Sequence, residues 1–298
     1  MANQAQSQSI ATLARPRLLD FVALMKPELT LLSVVTAVGA AFLAAQNGIP
    51  YRLLLHTFFG TLFVGGGAGT LNMYLEREWD ALMKRTEHRP IPGGRVSSAE
   101  ALIFGVFLSL AGVLELALFT TSLAGCLAVT TLVTYIFLYT PLKRLTPFAT
   151  VVGGIPGALP PMIGWAAVRG DVGLEAWSLF AILFFWQMPH FLALAWMYRK
   201  DYARAGYRML TVLDPDGVVT SRQILVYTFA LLPAALLPTY VGISNEFYFI
   251  CGFLLTLVFL WFALSFSRQR SNAAARRLFY CSLIYLPVLI TLMAITRI

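Results

Sequence analysis

Charge is what this sequence has least of. Only 12% of its 298 residues are Asp, Glu, Lys or Arg, against 58% hydrophobic, whereas soluble domains carry roughly 25% charged residues. That shortage excludes a soluble enzyme of this length, whose core could not absorb so much apolar side chain, and places the chain among integral membrane proteins. Cysteine is nearly absent. Cys126, Cys251 and Cys281 each sit alone in an apolar run, with no CxxC pair and no zinc spacing, and read as small core residues. An export signal is lacking too: residues 1–14 are polar and rich in Ser and Gln, with no basic start and no apolar centre. Residues 1–18 read as a disordered tail ahead of a single domain, 19–298.

In place of charge there are long apolar runs. A bilayer core takes about 20 apolar residues per helix. Nine segments qualify: 27–46, 53–76, 99–119, 122–140, 148–167, 174–197, 223–241, 246–267 and 275–295. Nineteen of the 22 Lys and Arg residues fall in the tail and around the loops after the second, fourth, sixth and eighth segments; only Arg52, Arg169 and Arg297 fall on the other side. Cytoplasmic loops carry such an excess. The pattern predicts an all-α polytopic membrane protein, nine transmembrane helices around a central cavity, with the N-terminus cytoplasmic and the C-terminus outside. The net charge of +8 is then a topology signal rather than a nucleic-acid footprint. The lipid bilayer is the expected partner, and nucleic acid is not.

The second segment closes on LNMYLEREWDALMKRTEHRP, residues 71–90. Residues four apart on a helix drift only about 40° around its axis, so Asn72, Glu76 and Asp80 share one face. Carboxylates at membrane depth are costly and face a cavity or a partner. Two acids and an amide offer hard oxygen ligands suited to Mg²⁺, which typically binds one or two carboxylates plus substrate phosphates. Arg85, Arg89, Lys143 and Arg144, on the same membrane side, suit phosphate oxygens. Acids for metal beside bases for anion, at one mouth of an apolar bundle, point to a substrate with a diphosphate head and an apolar tail. The competing reading is that polar residues merely mark the lipid boundary; the regular spacing of the acids weighs against it. A second polar stretch, MYRKDYARAGYRML (197–210), sets Asp201 among Arg199, Lys200 and Arg204. There an ordinary surface pair, worth under about 1 kcal/mol, is the alternative.

Asn72–Glu76–Asp80 resembles the NxxxDxxxD signature of the UbiA superfamily of intramembrane prenyltransferases, and YTPLK resembles its YxxxK loop motif, here Tyr139 and Lys143. Longer stretches are similar to the protohaem IX farnesyltransferases, or haem O synthases: KRTEHRPIPGGRVS (84–97), YTPLKRLTPFATVVGGIPGALPPMIGW (139–165), WQMPHFLALAW (186–196) and DYARAGYRML (201–210). The resemblance implies that farnesyl diphosphate, haem B and water give haem O and diphosphate, with one or two Mg²⁺ ions assisting. It implies Asn72, Glu76 and Asp80 as a first metal and diphosphate cluster and Asp201 as part of a second. Arg85, Arg89, Lys143 and Lys200 would contact diphosphate, with Arg144 and Arg204 as weaker candidates. Two departures stand out. Glu76 replaces an Asp and reaches one methylene further, and Ala205 stands four residues after Asp201, so the second cluster lacks its pair and one metal helped by cations is an option. The implied setting is the inner (cytoplasmic) membrane of a cell, the mitochondrial inner membrane being less favoured, with haem A synthase or a terminal oxidase as recipient.

Haem B needs a flat apolar slot, and histidine is a usual iron ligand. His190 lies in WQMPHF, about 15 Å of helix before Asp201. It is expected deeper in the cavity with Gln187 nearby, in a helix interrupted at Pro189; a plain interhelical hydrogen bond is the alternative. His88, among the loop bases, is a further candidate for phosphate contact, and His56 has no assigned role. GGIPGALPP (153–161) is expected to break regular helix. Irregular backbone at membrane depth is tolerated only against protein or a cavity, so this stretch should line the chamber. VGGGAGT (64–70) reads as close helix packing. Trp186 and the Phe residues offer faces able to shield a cation, although most should be ordinary lipid- or core-facing groups. Two other readings stay open. One is a sister enzyme that prenylates a phenolic acid, quinone precursor or chlorin from the same diphosphate site. The other is a transporter, whose polar groups would sit near mid-membrane rather than at one face.

Overall fold

The computed structural model describes residues 17–45, 48 and 50–298. The expected tail lies outside the described residues, apart from Arg17 and Leu18, which already belong to a helix. In chain order the helices are α1 (Arg17–Leu24), α2 (Pro27–Ala44), α3 (Tyr51–Asp80), α4 (Ser98–Phe119), α5 (Ser122–Leu142), α6 (Ala149–Arg169), α7 (Leu174–Met197), α8 (Arg199–Arg204), α9 (Leu210–Leu213), α10 (Val218–Tyr240), α11 (Glu246–Gln269) and α12 (Asn272–Ile295). Nine of them are long and apolar enough to cross a membrane among the described residues, namely α2 to α7 and α10 to α12. They coincide with the nine expected segments. One extension matters: α3 continues to Asp80, so the whole acid stripe is helical.

Local signals set the helix ends. Ser97 and Glu100 form a reciprocal capping box that opens α4. The side chains of Thr121, Asn245 and Ser271 cap α5, α11 and α12. The outer faces are apolar where a soluble protein would be polar: Ile103, Phe107 and Leu118 on α4 and Trp261 on α11 are all well exposed. In lipid this surface is the solvated one.

Neighbouring spans pack in sequence from α2 to α7 and again from α10 to α12; α7 meets both α10 and α12, and α2 touches α6 and α12. The inner helices are therefore enclosed: 72% of the apolar window of α6 and 67% of that of α7 are buried, against 33% for α10, α11 and α12. Glycines allow the closest approaches. A Cβ on Gly67 would lie 2.7 Å from the Ser109 backbone nitrogen of α4, and one on Gly164 would lie 1.8 Å from the Ala37 carbonyl oxygen of α2. The first contact matches the packing role read for VGGGAGT.

Two expectations are corrected. GGIPGALPP does not break the helix: Pro156, Pro160 and Pro161 all lie inside α6. Nor is α7 interrupted at Pro189. Proline removes an amide and crowds the preceding turn. In a membrane bundle, however, leaving helical geometry would free more backbone than proline does, and neighbouring helices supply polar partners. Separately, Gln187 Nε2 of α7 ties that helix to α6 by donating to the Gly154 carbonyl at 2.7 Å. A departure that was not expected lies in α5, whose residues Thr134–Tyr139 form a wider π-helical turn. Pro141 just beyond it has no amide to give, and Thr140 Oγ1 donates to the Tyr135 carbonyl (2.8 Å).

Candidate active site

A cavity of about 300 Å³ lies within the bundle, walled by α2, α3, α5, α6 and α7, with Leu286 of α12. Asn72, Glu76 and Asp80 are all buried on its wall, as the four-residue spacing predicts. Each faces a cation. The Asn72 Oδ1 accepts from Lys26 Nζ, while its Nδ2 donates to Thr140 Oγ1 at 3.0 Å. Glu76 Oε1 lies 2.5 Å from Lys143 Nζ. That contact is a tight, buried charge pair. Both oxygens of Asp80 accept from Arg89 Nη1, at 2.8 and 2.7 Å.

Lys26 is the site residue that sequence reasoning passed over. It sits between α1 and α2 with φ 51° and ψ 63°, left-handed backbone that costs a non-glycine residue on the order of 1–3 kcal/mol. The turn sends its side chain inward. The α1 arm is fastened by Arg95 Nε, which donates to the buried Asp20 at 2.8 Å. Burial, reinforced by the nearby Arg89 charge, lowers the Lys26 pKa to about 7. Burial also works against the Lys143 ammonium. There the Glu76 carboxylate, with the facing tyrosines, outweighs it and holds the pKa well above 10.5. The only sequence signal for Lys26 was a lone base just before Pro27.

Tyrosines frame the cations. Lys143 Nζ lies 4.7 Å from the Tyr139 ring centre and 5.8 Å from that of Tyr207. Arg85 sits over Tyr198 and Tyr202 at 4.9 and 5.9 Å and reaches the Tyr202 hydroxyl at 3.4 Å. The widened turn of α5 places both Tyr135 and Tyr139 on the cavity wall. The Tyr207 hydroxyl is buried with no partner among the described residues, and burial raises its pKa.

Not every expected residue reaches this space. Asp201, Lys200 and Arg204 do not line it: Asp201 pairs with Arg204 at 3.6 Å, and Lys200 is exposed. On α8 successive residues turn by about 100°, and the residue that faces the cavity is Tyr202. Arg144 is likewise absent from the wall and lies flat on Trp79 at 3.9 Å. His88 is 84% exposed beside Glu87 and does not reach the site.

Away from the acid stripe the lining is mostly apolar, with hydroxyls such as Thr36 and Thr61 and the two larger polar groups Gln187 and His190. His190 is only 6% exposed. Its ring is stacked between Trp186 (centroids 5.3 Å apart) and Phe279 (4.7 Å), and its Nδ1 lies 2.7 Å from Ser282 Oγ. The cavity also takes in Gly153, Pro156, Gly157 and Pro160, so GGIPGALPP lines the chamber although it stays helical.

Among the described residues, no three or more His, Cys, Asp or Glu side chains gather into a complete metal cluster. Asn72, Glu76 and Asp80 form a partial set of hard oxygen donors. All three line the cavity. Such a set fits Mg²⁺ when phosphate oxygens complete the shell.

Residues 33–286 match the UbiA prenyltransferase family. The chain is 44% identical over 287 residues to the protoheme IX farnesyltransferase of Solibacter usitatus, a match covering 93% of this chain and 98% of that protein. Among solved structures it is similar to digeranylgeranylglyceryl phosphate synthase, with TM-score 0.79, 16% identity and coverage of 94% of this chain and 98% of that chain. It is also similar to a UbiA homologue from Archaeoglobus fulgidus bound to DMAPP and Mg²⁺, with TM-score 0.67, 13% identity and coverage of 93% and 99%. At these identities the likeness to the solved structures is one of fold.

Proposed function

Because the chain belongs to the UbiA prenyltransferase family, we propose that it transfers a farnesyl group from farnesyl diphosphate to a vinyl group of haem B. Water is added and haem O and diphosphate are released. One observation carries the reading: a single intramembrane cavity joins a mouth of paired acids and bases to an apolar end holding His190. The mouth suits a diphosphate head, and the remainder suits an isoprenoid and a flat macrocycle.

Asn72, Glu76 and Asp80 would hold Mg²⁺, which when bound would supply Lewis-acid stabilisation of the departing diphosphate. The protein's own cations do the same work from the sides. Lys26, Arg89 and Lys143 already border the oxygens of the acid stripe, and Arg85 stands at the cavity wall. Charge that develops on the leaving group meets donors fixed beforehand, which is where electrostatic catalysis gains most. The allylic C–O bond breaks with its electron pair going to diphosphate. The vinyl carbon of haem bonds to the farnesyl carbon, and water adds to the resulting cation with loss of a proton. Tyr135 and Tyr139 present rings to this space, and the enclosing helices limit premature capture by water. Asp201, Lys200, Arg144 and Arg204 stand outside this set. The excess of Lys and Arg in the loops around the mouth supports a cytoplasmic side of an inner membrane for it, and a haem A synthase or a terminal oxidase is the recipient we propose for haem O.

Reconstituted protein given farnesyl diphosphate and haem B should release diphosphate only with Mg²⁺ present. The pyridine haemochrome product should gain the mass of a farnesyl group plus a hydroxyl. Release with a phenolic acceptor and none with haem B would replace this reading with that of a sister prenyltransferase.

A further inference from the structure

The acceptor end contains a hydrogen-bond relay that decides which nitrogen of His190 is free. Ser282 Oγ lies 2.5 Å from the Phe279 carbonyl oxygen, an acceptor only, so the single hydroxyl proton is committed there. The same Oγ lies 2.7 Å from His190 Nδ1. With its proton already used, the serine oxygen can only accept from that nitrogen, and Nδ1 must carry hydrogen. Ser282 is fully buried, and its carbonyl is pinned by Trp186 Nε1 at 2.9 Å, so the relay is fixed at both ends. The ring itself cannot easily flip between Trp186 and Phe279. In the neutral imidazole Nε2 is then left with a lone pair. It has no protein hydrogen bond among the described residues and is not among the sealed, unpaired atoms. The open space beside His190 is the cavity.

We propose that Ser282 is a positioning residue for the acceptor. It fixes the Nδ1–H tautomer of His190, so that Nε2 is presented to the cavity as a ligand for the iron of bound haem B. Ser282 does not line the cavity; it acts through His190. A donor or acceptor behind a ligating imidazole sets its tautomer and basicity, and its loss typically lowers metal affinity about 10- to 100-fold. The inference rests on the haem reading given above and adds the ligating atom and the residue that orients it.

The test is a titration of the full-length protein in lipid nanodiscs with ferric haem B, followed by absorption and electron paramagnetic resonance. Farnesyl diphosphate binding is measured in parallel as a control for folding. The wild type should show a histidine-ligated spectrum, and His190→Ala should lose it. Ser282→Ala should keep farnesyl diphosphate binding, weaken haem binding by about 10-fold or more and alter the ligation spectrum. Ser282→Thr, which restores a hydroxyl, should recover both. If Ser282→Ala binds haem within twofold of wild type with an unchanged spectrum while His190→Ala loses ligation, the positioning role is overturned. If His190→Ala also keeps the wild-type spectrum, the ligand assignment falls while the farnesyltransferase reading stands. If the wild type binds no haem, both readings fall.

Discussion

Acid–base contacts at its two ends join α3 to other parts of the molecule, and the two ends have different purposes. Toward one end, His56 Nδ1 meets Glu115 Oε1 of α4 at 2.8 Å, and the imidazole stacks on Phe119 with centroids 4.8 Å apart. One base meets one acid under an aromatic lid, and neither lines the cavity. At the other end, Glu76 and Asp80 meet Lys143 and Arg89 with the cavity beside them, and Lys26 and Arg85 add further positive charge. The chemistry of the groups is alike; the difference is the open space beside them. The outer pair is a clasp. The inner set is a site, because an incoming anion can reach its cations and a metal its carboxylates from the cavity.

The sharpest way to break that contrast is to remove one inner acid. Asp80→Asn keeps the side-chain shape and a partner for Arg89, but loses the anionic ligand. A single group that stabilises transition-state charge is worth about 100- to 1,000-fold in kcat, so diphosphate release should fall at least that far. Some stability should be lost as well, because the buried Asp80 is charge-paired with Arg89, so turnover is compared well below the melting temperature. An Asp80→Asn enzyme within tenfold of wild type would remove the metal role from the stripe.

Next in size is the Glu76–Lys143 pair, where stability and activity should separate. Lys143→Met leaves a buried carboxylate without its cation, a change that costs about 3–5 kcal/mol when a buried pair is broken. The double variant Glu76→Gln with Lys143→Met removes both charges and should regain most of that stability. Activity should stay down about 100-fold in both. If the double variant recovers turnover as well, the pair is structural, like the outer clasp.

Asp201 should rank below both. It lies off the cavity wall, tied to Arg204, so Asp201→Asn should cost less than about 10-fold, roughly 1.4 kcal/mol, in kcat/KM. A loss equal to that of Asp80→Asn would mean that α8 turns inward when substrate binds and supplies a second carboxylate.

How much of this was legible in the sequence depends on the kind of signal. The nine spans were visible because lipid demands about 20 apolar residues at a stretch. The stripe on α3 was visible because helical spacing converts directly into a shared face. Proline misled twice, in α6 and α7, because its local penalty is read without the neighbours that compensate for it. Lys26 was hidden by a left-handed turn that no periodicity reports. Tyr135 was obscured because a π turn shifts the face by a fraction of a turn without changing composition. Asp201 and Lys200 looked like site residues because an acid among bases fitted a second cluster, yet on so short a helix one residue decides which side is faced, and the cavity is met by Tyr202. Ser282 carried no signal at all, being a lone serine in the ninth span whose partner lies 92 residues away.

The smallest expected effect returns to the clasp. Glu115→Gln keeps a hydrogen-bond acceptor for His56 but removes the charge. Both side chains are about one-quarter exposed, 27% for His56 and 23% for Glu115. Their interaction is therefore partly screened, and the cost should be about 1 kcal/mol or less. That predicts a drop of only a few degrees in melting temperature, with kcat for diphosphate release within twofold of wild type. The asymmetry carries the argument. A charge removed from α3's inner end should silence the enzyme, whereas one removed from its outer partner should leave catalysis almost unchanged. A Glu115→Gln enzyme that melts normally but turns over tenfold more slowly would show that the two ends are coupled along α3, and the clasp would have to be counted as part of the working site.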